Sequence, residues 1–225
     1  MPVDWFAPGY LESLSQYAFA DQRTLLGIPN FANVVSNLPF AIVGVLGWRP
    51  ARDPAWRLLF AGVFLVALGS GYFHLAPDMF RLLWDRLPMT LVFTSLLAVV
   101  LGEWFGARWR DGLLWPLAAC GVLSAAYWYW TGNVIPYGLV QFGPIVVLLS
   151  AMWRLPRVRP LWAPLGLYVL AKIAESYDRR IYDALLVSGH TLKHILAAGA
   201  TYTIYRWHRY LSDQTASSLP LGSLK

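Results

Sequence analysis

The chain has 225 residues, of which 57% are hydrophobic and only 13% are charged, and its mean hydropathy is +0.47. Because a soluble domain carries about 25% charged residues, this composition excludes an ordinary water-soluble fold and predicts a membrane protein. The formal net charge of +6 comes largely from cations in short loops between apolar segments, so it does not indicate a nucleic-acid partner.

Seven apolar runs follow one another along the chain, and a helix needs about 20 mostly apolar residues to span a bilayer. They cover residues 31–48, 56–75, 87–105, 113–130, 137–153, 161–176 and 184–207, with the fifth and sixth shorter than the others. A spanning segment must satisfy its own backbone, so each run is predicted to be a helix. We predict an all-α polytopic fold, a seven-transmembrane-helix bundle over residues 31–210. Residues 1–30 form an extramembrane or interfacial segment, and residues 211–225 form a C-terminal tail that is disordered from residue 212.

The loop charges predict an orientation in the membrane. Loops on the side away from the N-terminus, together with the C-terminal segment, hold eleven arginines and lysines, against five on the N-terminal side. The positive-inside rule therefore places the N-terminus outside and the C-terminus in the cytoplasm. The chain uses 15 arginines against 3 lysines, a bias typical of a GC-rich bacterial genome. A bacterial inner membrane is thus favoured over the endoplasmic reticulum or the Golgi.

Three of the four histidines lie within or at the ends of predicted spans, where polar side chains are costly and indicate function. His190 and His194 are four residues apart and share one helix face. His74 ends the second helix on the side of the membrane where the seventh helix begins. Three imidazoles and one open position form the ligand set of a catalytic zinc ion, so these residues are predicted to bind Zn²⁺. The alternative is hydrogen bonding between helices. His208 is expected at the membrane interface.

Two more polar residues are predicted to be catalytic. Ser70 precedes His74 by one helical turn, and Asp85 is expected at the start of the third helix, with Pro88 in its first turn. A carboxylate beside a zinc-activated water can take its proton and pass it to a leaving amine. The alternative for Asp85 is a helix cap paired with Arg86. For Ser70 it is close packing beside the neighbouring glycines.

Four short motifs occur in a specific order and spacing: NVVSN at 33–37, SGYFH at 70–74, WDRLPM at 84–89 and HTLKH at 190–194. Together they resemble the alkaline ceramidase family, from about the first helix to the seventh. The resemblance implies a seven-helix bundle in which His74, His190 and His194 hold a zinc ion inside the membrane. It further implies that Ser70 lies beside the zinc-bound water and that Asp85 contacts this water. The implied reaction is hydrolysis of the ceramide amide to sphingosine and a fatty acid.

The N-terminal part departs from that family. Its eukaryotic members bind calcium there through several acidic side chains and an asparagine. The nearest stretch here runs from Asp21 to Asn33, with Asn30 where glutamate is expected. The pair Asp4-Trp5 resembles another piece of that site, but its spacing to Asn30 differs. This stretch retains too few anionic ligands to predict a calcium site.

We therefore predict an intramembrane zinc-dependent amidase for ceramide or a related lipid amide, with the bilayer as its surroundings. One alternative is a zinc-dependent lipid ester hydrolase. Another is a seven-helix receptor or sensor with a structural zinc ion. A structural site is expected to recruit a fourth protein ligand, and Cys120, the only cysteine, lies away from the histidines in the fourth run. The sequence predicts no oligomeric state.

Four polar residues of the later helices have less specific predictions. Gln141 is expected to line an apolar cavity that is open to lipid and admits an acyl chain. Lys172 and Glu175 are three residues apart and are expected to pair with each other. Lys193 is predicted to point off the histidine face, toward a neighbouring helix or carboxylate.

Overall fold

The computed structural model describes residues 19–217, and this part of the chain is all-α, with no β-strand in it. The 3-10 helix Pro156–Leu161 precedes α7. The α-helices are α1 Phe31–Val35, α2 Leu38–Trp48, α3 Pro54–Leu75, α4 Met79–Phe105, α5 Ala107–Thr131, α6 Ile135–Arg154, α7 Trp162–Ser176, α8 Asp178–Leu185 and α9 Gly189–Ser217.

Four helical segments are long and apolar enough to cross a membrane. They are α1 with α2 (Phe31–Trp48), α3, α4 and α6. The other three apolar runs of the sequence lie in α5, α7 and α9. Within residues 19–217, these helices are not both long enough and apolar enough to count as candidate spans. Helix α7, for example, has only 15 residues. Large apolar side chains such as Leu139 and Val146 on α6 are two-thirds exposed, as expected of a surface that faces lipid. The fold is therefore that of a helical membrane protein with four candidate spans.

The helix bundle is held together by close packing around a central apolar cluster. Phe60 and Val63 of α3, Val100 of α4, Met152 of α6 and Trp207 of α9 are almost fully buried in it. In a bilayer the lipid tails are as apolar as these side chains, so packing contacts between the helices, rather than exclusion of water, stabilise the arrangement.

Two helix boundaries differ from the sequence prediction. The first apolar run is not one helix, because the chain breaks at Ser36 and Asn37, just before Pro39 in the first turn of α2. Proline lacks the N–H that would continue a helix from the preceding turn. The last run was expected to begin at residue 184, but α9 begins at Gly189. Residue 184 instead lies in the short helix α8, which the sequence does not predict and which ends at Leu185. Leu186 then adopts a left-handed conformation with φ 57°.

The start of α4 also differs from the prediction. Asp78 caps this helix, since its Oδ1 accepts a hydrogen bond of 2.7 Å from the N–H of Arg81. Asp85 and Pro88 therefore lie inside α4, so the expectation that Asp85 starts this helix with Pro88 in its first turn is wrong, and so is the alternative of a helix-capping Asp85. Because Pro88 has no N–H, it cannot donate a hydrogen bond to the carbonyl of Trp84 as an ordinary helical residue would.

Two glycines allow the helices that carry the polar residues to approach closely. A Cβ at Gly69 of α3 would collide with the carbonyl oxygen of Trp84 on α4, and a Cβ at Gly189 would collide with that of Ala174 on α7. The first contact brings the middle of α3 against the early turns of α4. The second places the start of α9 directly on the end of α7.

The C-terminal helix corrects two further expectations. α9 continues to Ser217, so the prediction of a disordered tail is wrong for residues 212–217, and the remainder of the tail lies outside the described residues. His208 was expected at the interface. It is instead buried, with its ring stacked on that of Trp56 at a centroid distance of 4.5 Å.

Candidate active site

The three predicted histidine ligands form one buried cluster. His74 is in the last turn of α3, and His190 and His194 are in the first turns of α9. One ring nitrogen from each lies within 4.8 Å of the other two, and all three residues are at least nine-tenths buried. The Nε2 atoms of His74 and His190 are 3.3 Å apart. The structure thus confirms the predicted cluster as a group that could hold a metal ion.

The ring nitrogens are arranged in a way that fits such an ion. With metal–nitrogen bonds of about 2.0–2.1 Å and tetrahedral angles, two ligand nitrogens lie about 3.3–3.4 Å apart, close to the separation of the Nε2 atoms of His74 and His190. Nδ1 of His194 lies 2.8 Å from Oγ of Ser36, which leaves Nε2 as the ligand atom. The nitrogen-only donor set is consistent with zinc.

The loop between α1 and α2 orients the histidines, because the break in the helix turns Ser36 and Asn37 toward α9. Asn33, in α1, is fully buried, and its Oδ1 accepts hydrogen bonds from Thr191 Oγ1 at 2.8 Å and from Ser188 Oγ at 3.3 Å. The NVVSN motif was noticed in the sequence only as part of the family resemblance. The structure gives its three polar side chains a role in fixing the start of α9.

One carboxylate ties the N-terminal segment to the helix that carries two of the histidines. Asp178, at the start of α8, accepts a hydrogen bond from the backbone N–H of His190 at Oδ1 and from that of Ala20 at Oδ2, both of 2.8 Å. Phe19 then covers the cluster, with its ring centroid 4.6 Å from that of His74 and 4.5 Å from that of His190. Sequence reasoning missed Asp178 and Phe19, because neither belongs to an apolar run or a motif.

Ser70 and Asp85, the two predicted catalytic residues, lie on adjacent helices with the Ser70 hydroxyl near the Asp85 carboxylate. Ser70 is one turn before His74 on α3 and is almost fully buried, while Asp85 is on α4. Both line one cavity together with His190 and His194. The structure therefore brings together the five residues that the sequence singled out.

The cavity has a volume of about 360 Å³ and combines a polar end with long apolar walls. The polar end contains Ser70, Asp85, His190 and His194, together with charged side chains of α4, α7 and α9. The walls include Phe40, Val63, Leu148 and Ile204, whose side chains leave the far end lined by hydrocarbon. A pocket of this kind suits a ligand that has one polar group and a long apolar chain.

The less specific predictions for the later helices have mixed outcomes. Gln141 lines the cavity as expected and donates a hydrogen bond of 2.9 Å to Oη of Tyr168. Lys172 and Glu175 pair as expected, at 2.9 Å. Lys193 does contact a carboxylate, that of Glu175. However, its Nζ also lies 3.1 Å from Nε2 of His190, so the expectation that it points away from the histidines is wrong.

The stretch compared with a calcium site is held by protein contacts. Both oxygens of Asp21 accept hydrogen bonds from the Arg23 guanidinium, at 2.7 and 2.8 Å, and these bonds keep the pKa of Asp21 below its usual range. Asn30 donates a hydrogen bond of 2.9 Å to the carbonyl of His74. The segment thus supports the last turn of α3. The other piece of the comparison, Asp4-Trp5, lies outside the described residues.

Comparison with known proteins identifies the family of the chain. The Ceramidase family model matches residues 25–161. An alkaline ceramidase of Caenorhabditis elegans is 26% identical over 203 residues, which cover 81% of this chain and 75% of the relative. An alkaline ceramidase of Caenorhabditis briggsae is 26% identical over 205 residues, with the same coverage. With more than half of its length matched by the family model and the histidine cluster in place, the chain belongs to the ceramidase family.

Proposed function

We propose that this protein is an intramembrane zinc-dependent amidase that hydrolyses the N-acyl bond of ceramide or a related lipid amide, releasing a fatty acid and the amine. One observation carries the proposal: a cluster of three buried histidines lies with Ser70 and Asp85 at the polar end of a cavity whose far walls are apolar. The names of the nematode relatives favour an amide over an ester as the bond that is cut.

The histidines supply the ligands for the metal. His74, His190 and His194 would hold zinc through their converging ring nitrogens. When bound, zinc acts as a Lewis acid and lowers the pKa of a bound water to about 7. Among the described residues this group contains three ligands and no fourth, which matches a catalytic site better than a closed structural one.

Asp85 and Ser70 handle the proton in this proposal. The carboxylate of Asp85 accepts a proton from the attacking water and delivers it to the nitrogen of the leaving amine. Ser70, whose hydroxyl lies near Asp85, orients that carboxylate. The apolar walls of the cavity hold the acyl chain and keep bulk water away from the reacting amide.

The proposal includes a topology. Seven spans are formed by α1 with α2, α3, α4, α5, α6, α7 and α9, with the N-terminus outside and the C-terminus in the cytoplasm. The charge difference between the loops supports this orientation, and the excess of arginine over lysine favours a bacterial inner membrane. The polar residues of α7 and α9 would then face the cavity inside the bundle, where charged side chains in membrane proteins normally lie.

Metal analysis tests the site. The purified protein should contain about one zinc per chain, and His194→Ala should lose most of it because one of three ligands is gone. His208→Ala is the matched control, since His208 is also a buried histidine of α9 but lies outside the cluster. Full zinc content in His194→Ala, or an equal loss in both variants, would refute the ligand assignment.

A further inference from the structure

A cluster of three charged side chains lies beside the histidines and has no part in the chemistry described so far. Glu175 of α7 accepts hydrogen bonds from Nζ of Lys172 at Oε2 and from Nζ of Lys193 at Oε1, both of 2.9 Å. The same Nζ of Lys193 is 3.1 Å from Nε2 of His190. Charged groups inside a membrane bundle are expensive to keep, so their presence at this place indicates a function.

The polar end of the cavity carries an excess of positive charge. Its charged lining residues, within the described part of the chain, are three cations and two carboxylates: Arg86, Lys172, Lys193, Asp85 and Glu175. With the histidines neutral, one positive charge is left over. A neutral headgroup such as the hydroxyls of ceramide would not balance this charge, whereas a carboxylate on the ligand would. A charge removed from water is tolerated best when it is paired.

Lys193 is the cation placed to meet such a group. Its ammonium has three N–H donors, of which one is directed at Glu175 and one at Nε2 of His190. A metal ion on Nε2 would take the lone pair that accepts this second bond, so Nζ of Lys193 would have to move off Nε2. Its bond to Glu175 would keep the ammonium near the histidines, with the released donor open to a ligand.

We propose that Lys193, anchored by Glu175, binds a carboxylate on the amine side of the scissile amide, so that the preferred substrate is an N-acyl amino acid of the N-acylglycine type. This inference rests on the proposed amidase function and specifies its substrate class. In the reaction, water adds its oxygen to the acyl carbon and the C–N bond breaks. The fatty acid leaves as a carboxylate, and the nitrogen of the amino acid takes up both protons of the water and leaves as an ammonium group.

Binding of two non-hydrolysable ligands tests the inference separately from catalysis. One is the keto acid in which CH₂ replaces the amide NH of N-acylglycine, and the other is the matching neutral keto alcohol. Their Kd values are measured by titration calorimetry of the zinc-loaded protein in detergent. The wild type should bind the keto acid about tenfold or more tightly than the keto alcohol, since a hydrogen bond to a charged group contributes that much. Lys193→Met should abolish the difference and change the Kd of the keto alcohol by less than about twofold.

A second variant, Glu175→Gln, should strengthen binding of the keto acid, whereas Lys193→Met should weaken it. Glu175→Gln removes a carboxylate that competes for Lys193, so it should bind the keto acid several-fold more tightly. Arg179→Met is the matched control, because Arg179 is an exposed cation on α8, paired with Asp183, and should leave both affinities unchanged. The zinc content of each variant is measured alongside.

Equal affinity of the wild type for both ligands would overturn the inference. So would parallel weakening of both ligands in Lys193→Met and Glu175→Gln, since that result would indicate a purely structural cluster. Failure of the proposed amidase function can be distinguished from failure of this inference. In that case N-acylglycine and ceramide would remain intact after incubation, while the protein would still bind the keto acid in preference to the keto alcohol. If Glu175→Gln does not fold, the wild type and Lys193→Met decide the matter.

Discussion

Replacing Asp178 with asparagine tests how the histidine-bearing helix is positioned. The carboxylate of Asp178 accepts two backbone N–H groups, from His190 and from Ala20, each at 2.8 Å. Asparagine has nearly the same shape but only one acceptor oxygen, and its NH₂ group would face one of the two donors. We expect Asp178→Asn to loosen the first turn of α9 and to weaken zinc binding without unfolding the bundle.

The magnitude follows from the hydrogen bond that is lost. A partly buried donor left without its charged acceptor costs about 1–3 kcal/mol, and about 1.4 kcal/mol corresponds to a tenfold change in an equilibrium constant. If most of this penalty falls on the metal-bound state, the Kd for zinc should rise about 10- to 100-fold, the range typical of groups that orient a metal-binding histidine.

Competition with a zinc chelator measures this Kd on the purified protein. Asp183→Asn is the matched control, since it makes the same chemical change on the same short helix, in an exposed carboxylate that pairs with Arg179. Such surface pairs contribute little, so its zinc affinity should equal that of the wild type. The reasoning is wrong if Asp178→Asn keeps wild-type zinc affinity while its thermal unfolding temperature falls, because Asp178 would then support only the fold.

Three further predictions follow from other parts of the chain. Asp85→Asn should retain zinc and lose about 10²–10⁴-fold in kcat. Ser70→Ala should lose less kcat, because the Ser70 hydroxyl only orients the carboxylate. Loss of zinc in Asp85→Asn would show that Asp85 is structural. Arg23 lowers the pKa of Asp21 in the folded state, so the ionised carboxylate stabilises the fold. This contribution to stability is complete above the unfolded pKa of about 3.9 and is lost as the pH falls through the lower folded pKa. The unfolding temperature of the wild type should therefore fall more steeply below about pH 4 than that of Asp21→Asn, and identical pH profiles would contradict this. A reporter fused after Lys225 should be active only in the cytoplasm, and activity on the other side would reverse the proposed orientation.

The sequence predicted the histidine cluster well because its signal is local and unusual. Two histidines four residues apart and a third at another helix end stand out in apolar surroundings, and the structure brings all three together. The placement of Asp85 was less accurate. Hydropathy marks only the part of α4 from residue 87, because Arg81, Asp85 and Arg86 interrupt the apolar pattern of its first turns, whereas the helix begins at Met79 and is capped by Asp78.

The supporting contacts could not be predicted from the sequence, since they depend on turns that join distant segments. Asp178 and His190 meet across the segment that contains the left-handed Leu186, and the same carboxylate binds the N–H of Ala20, next to Phe19. The helix α8 has no apolar run to reveal it. The expectation that Lys193 points off the histidine face overlooks that residues three apart are neighbours on a helix surface, so the long Lys193 side chain can reach Nε2 of His190.

Product analysis of the purified, zinc-quantified protein tests the central claim most directly. Wild-type protein and His194→Ala are incubated in detergent with ceramide and with N-acylglycine, and the fatty acid and the free amine are quantified by mass spectrometry. The proposed function predicts equal molar amounts of the two products from at least one of these amides, with N-acylglycine cleaved faster, and no turnover by His194→Ala. Intact amides after incubation with fully zinc-loaded wild type, or undiminished cleavage by His194→Ala, would contradict it.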